Sequence, residues 1–395
     1  MKKLLFLSLF IYGSLACDKE KLFLNGYIKH AQDIIFTDCD PYDKQRNHSC
    51  AVFATDSGLR IYDASDEELV LGPTGYFPLK INSGNFNKLS TIISPYETSK
   101  SFIAFDEVDL NLFIIDTKGT DSFKLKKPLK LLNIPSSVAA FSLDQDFIKI
   151  LITYKNNNLD IITVDKRTGQ ESTSNPKRTI PIVGATLSHI KIDEKASMAI
   201  ISDEGQDSIQ ILSLPSFIVQ PSINIGFRSK KIYVATQDNQ LYALAFNALD
   251  KEVALIHLQS RRVTTKKMSN FLQAAYFPSG NFTSCDGHKN WFLVTDVNSK
   301  LSYFSFDTTG TINSIKELDL ADKNNMATKS LVISEIAGGY VKNSVGKTCK
   351  RQVFIATSSA HDYYSNRAIE AQGNMCEADT SLVLRLGPDS LADKK

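Results

Sequence analysis

The stretch Ile190-Lys-Ile-Asp-Glu-Lys-Ala-Ser-Met-Ala-Ile-Ile-Ser-Asp-Glu-Gly-Gln-Asp-Ser-Ile-Gln-Ile-Leu212 decides the fold. It holds an apolar run, Met198-Ala-Ile-Ile-Ser202, a short polar break, and a second run, Ile209-Gln-Ile-Leu212. Consecutive apolar positions indicate a strand covered on both faces, whereas alternation indicates a strand with one more exposed face. The stretch therefore predicts two antiparallel strands, of which the first is the more deeply buried.

This pattern recurs seven times along the 395-residue chain. The first runs begin at Ala51, Phe102, Ile150, Met198, Ile232, Trp291 and Val353, and the second runs begin at Leu59, Leu112, Leu159, Ile209, Leu241, Leu301 and Arg367. A repeat of roughly 35 to 60 residues is typical of arrays whose units cannot bury their own apolar faces. Because further strands flank these pairs, we predict four antiparallel strands per unit. Seven units repeated radially give an all-β, seven-bladed β-propeller over residues 30–387.

Two details of this ring are expected from the pattern. In the fifth unit, the four strands in order are Ser222-Ile-Asn-Ile225, the run from Ile232, the run from Leu241, and Val253-Ala-Leu-Ile-His257. The ring is expected to close when Lys21-Leu-Phe-Leu-Asn25, or the strand at Ile34, docks beside Ser381-Leu-Val-Leu-Arg-Leu386, because closure removes an exposed sheet edge.

The repeat resembles the YVTN and lactonase-like group of bacterial β-propellers, which are WD40-like in architecture. In that group an apolar strand and a turn lead into hairpin strands that end in a short "sVid"-type run, and the stretch from Ile190 to Leu212 is the best copy here. The copies lack a regular Gly-Asn turn and carry inserts in the first, sixth and seventh units. The resemblance covers most of residues 30–386 and implies a fold; it carries no catalytic motif with it.

The N-terminus resembles a bacterial lipoprotein signal. Lys2 and Lys3 precede a short apolar segment from Leu4 to Tyr12, and Cys17 follows the small residue Ala16. The resemblance implies that residues 1–16 are removed, that Cys17 carries lipid, and that residues 17–29 form a tether or closing strand. Because small residues also suit ordinary secretory cleavage, simple secretion stays open, as does an uncleaved anchor. Residues 388–395 are expected to be a loose tail.

The charge balance excludes some classes of partner. The net charge is +2, and two of the positive charges lie in the segment expected to be removed. No basic stretch interleaves with aromatic residues, so nucleic acid is not an expected partner. We expect a monomeric propeller.

The cysteines are assigned from the redox chemistry of an exported chain, where disulfides are the default. A Cys39–Cys50 bridge would staple the insert between them, and Cys349 and Cys376 are expected on one face of the seventh unit. Cys285 is then left unpaired. A zinc site built from Cys39, Cys50, Cys285 and the histidines His48 and His288 is the weaker alternative. Solvated turns, rather than calcium sites, are expected at Asp203-Glu-Gly-Gln-Asp207 and at Asp38, Asp40 and Asp43.

One cluster of cations is a possible binding surface: Arg261, Arg262, Lys266 and Lys267. We expect it in the connection between the fifth and sixth units, near the channel mouth, where it would attract an acidic protein or an anionic polymer. A solvated loop with no role is the alternative. His189 alternates with apolar neighbours and is either a structural histidine or part of the channel lining.

These features predict a binding role more than a catalytic one. The sequence has no Gly-x-Ser-x-Gly, no His-Glu-x-x-His and no phosphate-binding glycine loop, so no catalytic residue, metal or cofactor is assigned. The expected function is a lipid-anchored protein of the bacterial cell envelope, facing the periplasm or the surface, whose propeller is a scaffold for an envelope protein or glycan. The alternative is a propeller enzyme, such as a lactonase-like hydrolase, with its site at the channel mouth.

Overall fold

The chain is described by a computed structural model. The described residues are 32–39, 48–55, 58–63, 84–94, 101–117, 124–125, 127–237, 239–247, 249–268, 271–277, 291–296, 300–307, 309–319, 332–342, 349–359 and 383–386. Every regular element within these ranges is a β-strand, and nearly all of the strand pairs are antiparallel. The prediction of an all-β chain is confirmed.

The strands follow one another in seven consecutive groups. Group one contains β1 (Asp33–Cys39), β2 (His48–Thr55) and β3 (Gly58–Asp63). Group two contains β4 (Phe86–Ile93), β5 (Ser101–Asp106), β6 (Asn111–Asp116), β7 (Lys124–Leu125) and β8 (Leu129–Lys130). Group three contains β9 (Ser137–Phe141), β10 (Phe147–Thr153), β11 (Asn158–Asp165) and β12 (Arg178–Pro181). Group four contains β13 (Leu187–Ile192), β14 (Met198–Asp203), β15 (Ser208–Ser213) and β16 (Ile218–Asn224). Group five contains β17 (Lys231–Gln237), β18 (Gln240–Asn247), β19 (Glu252–His257) and β20 (Arg262–Lys267). Group six contains β21 (Phe271–Phe277), β22 (Trp291–Asp296), β23 (Lys300–Phe306) and β24 (Ile312–Asp319). Group seven contains β25 (Val332–Lys342), β26 (Cys349–Ser359) and β27 (Val383–Leu386).

Within each group the strands pair antiparallel in chain order, except that β7 and β8 both pair with β6. Groups two and three are joined into one sheet by a short parallel pairing of β4 with β9, in which Ile92 lies opposite Ala140 and Ile93 opposite Phe141. The other groups are separate sheets.

Apolar side chains cover both faces of the middle strands. In β18, Leu241, Ala243 and Ala245 pack into a cluster shared with group four. The alternate residues of the same strand, such as Tyr242 and Phe246, pack into a cluster shared with group six. Similar clusters join groups one and two, two and three, and three and four. This two-sided burial explains why these strands are apolar at consecutive positions.

The groups follow one another in space as they do along the chain. The first strands of neighbouring groups are in contact: β1 with β4, β9 with β13, β13 with β17, and β21 with β25. In addition, β1 contacts β25, so group seven lies beside group one.

Buried aspartates fix the turns within the groups. Asp203 ends β14 and accepts hydrogen bonds from the backbone N–H groups of Thr186, Gly205 and Gln206 at 2.9, 2.8 and 3.2 Å. Asp106 ends β5 and accepts in the same way from Asn85 at 3.0 Å. Both carboxylates tie the entrance of a first strand to the end of the second strand. Gly205, Gln206 and Asp207 are exposed, as expected for a solvated turn, but Asp203 itself caps the turn and is fully buried.

The expected strand order of the fifth unit is wrong by one strand. The run from Ile232 is the first strand of group five, β17, and the segment from Ser222 belongs to β16 in group four. The fourth strand of group five is β20, in place of the segment from Val253. The sequence did not predict β20 as a strand, because this strand is only half-buried and its sequence, RVTTKK, is mostly polar, as in a loop.

Several expectations lie outside the described residues. They are the signal at 1–16, the segment 17–29, the strand at Lys21, the run at Arg367 and the tail at 388–395. In the part of the chain that is described, no helix is long and apolar enough to span a bilayer.

Candidate functional site

A row of three side chains crosses strands β18, β19 and β20 of group five. Tyr242 of β18 lies opposite His257 of β19, and His257 lies opposite Arg262 of β20. Paired residues project from the same face of a sheet, as do residues two positions apart on one strand. Thr264 therefore lies on the same face as Arg262. Because Tyr242 belongs to the cluster shared with group six, this face is directed toward group six.

A cavity of about 180 Å³ opens above this row. Its lining comes from the outer strands of group five and from the turn between β23 and β24: Gln240, Tyr242, Leu255, His257, Ser260, Arg262, Thr264, Thr309 and Gly310. We call it the Arg262 cleft. Gly310 has a φ of +81°, and a Cβ atom there would lie 3.4 Å from Thr264 Oγ1. A glycine at this position thus permits the left-handed backbone of the turn.

Hydrogen bonds fix His257 in one tautomer. Its Nδ1 accepts from the Ser260 backbone N–H at 3.0 Å and lies 2.7 Å from Ser260 Oγ. Because a backbone N–H must donate, Nδ1 is unprotonated and the proton lies on Nε2. Nε2 is 3.2 Å from Gln240 Oε1, which also accepts from Tyr242 Oη at 2.9 Å. His257 is therefore an oriented imidazole at one wall of the cleft.

Arg262 differs from the other three cations of the predicted surface. The other three are engaged within the chain: Arg261 Nη2 donates to the carbonyls of Pro221 and Ser222 at 2.5 and 2.7 Å, Lys266 Nζ lies 4.9 Å from the centre of the Phe304 ring, and Lys267 Nζ lies 3.7 Å from Glu252 Oε1. Arg262 is exposed and makes no hydrogen bond or ion pair within the described ranges. The structure also corrects the expected location, since three of the four residues lie on strand β20 and the fourth directly precedes it.

A second group of cations surrounds His189 on the first strands. His189 of β13 accepts a hydrogen bond at Nδ1 from the backbone N–H of Ile232, at 3.1 Å. Burial lowers the pKa of His189 well below its usual value, and the charges of Lys191, Lys231 and Lys88 lower it further. His189 is thus a neutral, hydrogen-bonded residue whose pKa is affected by lysines of groups two, four and five.

Only some of the cysteines named in the predictions lie within the described residues. Cys50 is fully buried on β2 and is disulfide-bonded. It lies opposite Thr37, two positions before Cys39 on β1. Its bridge to Cys39 stays a prediction, as does Cys349–Cys376: Cys349 begins β26, whereas Cys17, Cys285 and Cys376 lie outside the described residues. Among the residues described, no three His, Cys, Asp or Glu side chains gather as a metal site would require.

Sequence reasoning found Arg262 but missed the cleft. Gln240, Tyr242 and His257 are spread over two strands, and Thr309 and Gly310 come from another group. The signal that could have found them is the strand register, which places Tyr242, His257 and Arg262 in one row. Because the strand order predicted for the fifth unit was wrong by one strand, the sequence analysis did not place these three residues in one row.

Comparison with one solved structure supports the fold alone. The chain is similar to the solved structure of U3-55K, with a TM-score of 0.58 and 10% sequence identity over 92% of this chain and 98% of that chain. A complex of BBS1N with ARL6DN gives a TM-score of 0.44 and 14% identity over 65% of this chain and 70% of that one. No family model and no curated protein matches the sequence. The likeness to U3-55K places the chain among folds of the β-propeller type.

Proposed function

We propose that this protein is a lipid-anchored scaffold of the bacterial cell envelope, built as one seven-bladed β-propeller per molecule. The seven strand groups would be the blades, with group seven beside group one to close the ring. The expected partner is an envelope protein or a glycan that carries negative charge.

The observation that carries the binding role is the Arg262 cleft. Arg262, which has no hydrogen-bond or ion-pair partner among the described residues, lies over a cavity lined by hydroxyl groups, while the three neighbouring cations are engaged. A charge left unpaired beside a concave, partly polar surface is a suitable contact for an outside group of opposite charge.

The proposed location is supported by two further observations. The N-terminal sequence ending at Cys17 resembles a lipoprotein signal. The disulfide at Cys50 fits an oxidising compartment outside the cytosol. Anchoring is tested by Cys17→Ala, which should abolish labelling by a fatty-acid probe; retained labelling would rule out lipidation at this residue.

The scaffold proposal is tested by crosslinking in cells followed by purification of the full chain. We expect one stoichiometric envelope partner with the wild type and with Lys267→Gln, and loss of most of it with Arg262→Gln. Lys267 is a matched control because it is an exposed cation on the same strand, directed to the other face. Absence of any specific partner from the wild-type sample would contradict the scaffold.

A hydrolase is the second candidate, and one observation favours it. Ser260 Oγ lies 2.7 Å from His257 Nδ1, and Gln240 orients the other side of the imidazole. A nucleophile, a base and an orienting group are the parts that acyl transfer needs. An active-site fluorophosphonate should then label the wild type and spare Ser260→Ala. Equal labelling of the two proteins, or none, would contradict this candidate.

A further inference from the structure

We infer that the Arg262 cleft binds the carboxylate of one aspartate or glutamate side chain of a partner protein. This inference rests on the proposed scaffold function and names the chemistry of its partner.

Side chains of the cleft can donate hydrogen bonds to a ligand. Arg262 and Thr264 are two positions apart on β20 and project from one face, and neither side chain makes a hydrogen bond within the described part of the chain. The Ser260 hydroxyl lies at the same wall, but it donates to Nδ1 of His257. The cleft thus offers a guanidinium group together with the Thr264 hydroxyl.

The charge of Arg262 favours a carboxylate over a phosphate as the ligand. A guanidinium presents paired N–H groups whose spacing matches the two oxygens of a carboxylate, which makes such contacts strong and directional. A phosphate carries more negative charge and would gain from a second cation. Lys266, the nearest candidate on the same face, is instead stacked over Phe304. Arg262 is thus the one cation among the residues that line the cleft, which matches a ligand with a single negative charge.

The size and lining of the cleft suit a single side chain. The cavity of about 180 Å³ is smaller than the roughly 300–1,000 Å³ that small-molecule sites usually occupy. It can hold the end of one side chain rather than a whole metabolite. The floor is formed by Leu255 and the ring of Tyr242, and both side chains are almost fully buried. Such a floor would pack against the methylene groups of a glutamate and strengthen the charge contact above it.

The inference is tested by ligand-observed NMR titration of the full chain with a blocked tripeptide, alanine–glutamate–alanine. Its glutamine analogue is the matched uncharged probe. We expect the glutamate peptide to bind the wild type and Lys267→Gln equally, and the glutamine peptide to bind at least about tenfold more weakly. Arg262→Gln should weaken the glutamate peptide by about tenfold or more, and Thr264→Val by about threefold.

Three results would overturn the inference: equal affinity for both peptides, unchanged affinity in Arg262→Gln, or competition by inorganic phosphate at lower concentrations than the peptide. Arg262 is exposed, so its variant should keep the wild-type urea midpoint. The outcome is separable from that of the scaffold proposal. If a partner is crosslinked but the peptide does not bind, the scaffold uses another surface. If the peptide binds but no partner is found in cells, the scaffold proposal fails by itself.

Discussion

Replacing Asp203 with alanine should destabilise the protein more than almost any other single polar substitution. The carboxylate is fully buried and ends β14. One oxygen accepts from three backbone N–H groups, and the other accepts from Gln210 Nε2 at 2.9 Å. Gln210 is itself buried, so alanine would leave its amide without this acceptor.

The magnitude follows from which donors water can reach. Gly205 and Gln206 lie in an exposed turn, so their N–H groups can bond to solvent instead. The N–H of Thr186 and the amide of Gln210 are less accessible, and each unsatisfied buried donor costs about 1–3 kcal/mol. We expect Asp203→Ala to lower the free energy of unfolding by about 3 kcal/mol. Asp203→Asn keeps one acceptor oxygen, and we expect it to cost about 1 kcal/mol.

Urea unfolding followed by far-UV circular dichroism measures these differences. Asp207→Ala is the matched control, because Asp207 is 57% exposed and its carboxylate lies 3.9 Å from Arg228 Nε. An exposed pair of this kind contributes less than about 1 kcal/mol. If Asp203→Ala and Asp207→Ala unfold at the same urea concentration, the carboxylate does not hold the turn as described.

Two further predictions concern the lysine-surrounded histidine and the packing between groups five and six. His189 stays neutral in the folded chain but takes up a proton near pH 6.5 when unfolded, so stability should fall as the pH drops below that value, by up to about 1.4 kcal/mol per pH unit. His189→Gln should flatten this part of the curve of unfolding free energy against pH, and parallel curves for the two proteins would contradict the assignment. Phe306 is fully buried, and the centre of its ring lies 5.3 Å from that of Tyr242. Phe306→Ala should therefore lower the free energy of unfolding, measured with urea, by about 3–5 kcal/mol. A decrease of less than about 1 kcal/mol would mean that groups five and six do not pack through this ring.

The sequence predicted the strands better than their order within a unit. Consecutive apolar residues in β5, β10 and β14 identified strands covered on both faces, and the structure has them there. In the fifth unit the same pattern fits both β18 and β19, because each is buried between neighbouring groups. The hydrophobic pattern indicates which strands are buried but not which strand comes first in a unit. The predicted strand order of the fifth unit was therefore wrong by one strand.

The candidate site was harder to predict for a related reason. Arg262 stood out as part of a run of cations, but its neighbours Lys266 and Lys267 are engaged by Phe304 and Glu252. Those contacts depend on the register of β19 with β20 and on the position of group six, neither of which is encoded in local pattern. The same holds for the turn at Gly310, which contributes a wall of the cleft from a different group.

The central claim is that seven strand groups close into one ring, with β1 against β25. A crystal structure of the purified protein would test it most directly. The account predicts seven antiparallel blades around one axis, with β1 and β25 adjacent and the row Tyr242–His257–Arg262 facing the sixth blade. Two stacked sheets, or an open array with the first and last groups apart, would contradict it.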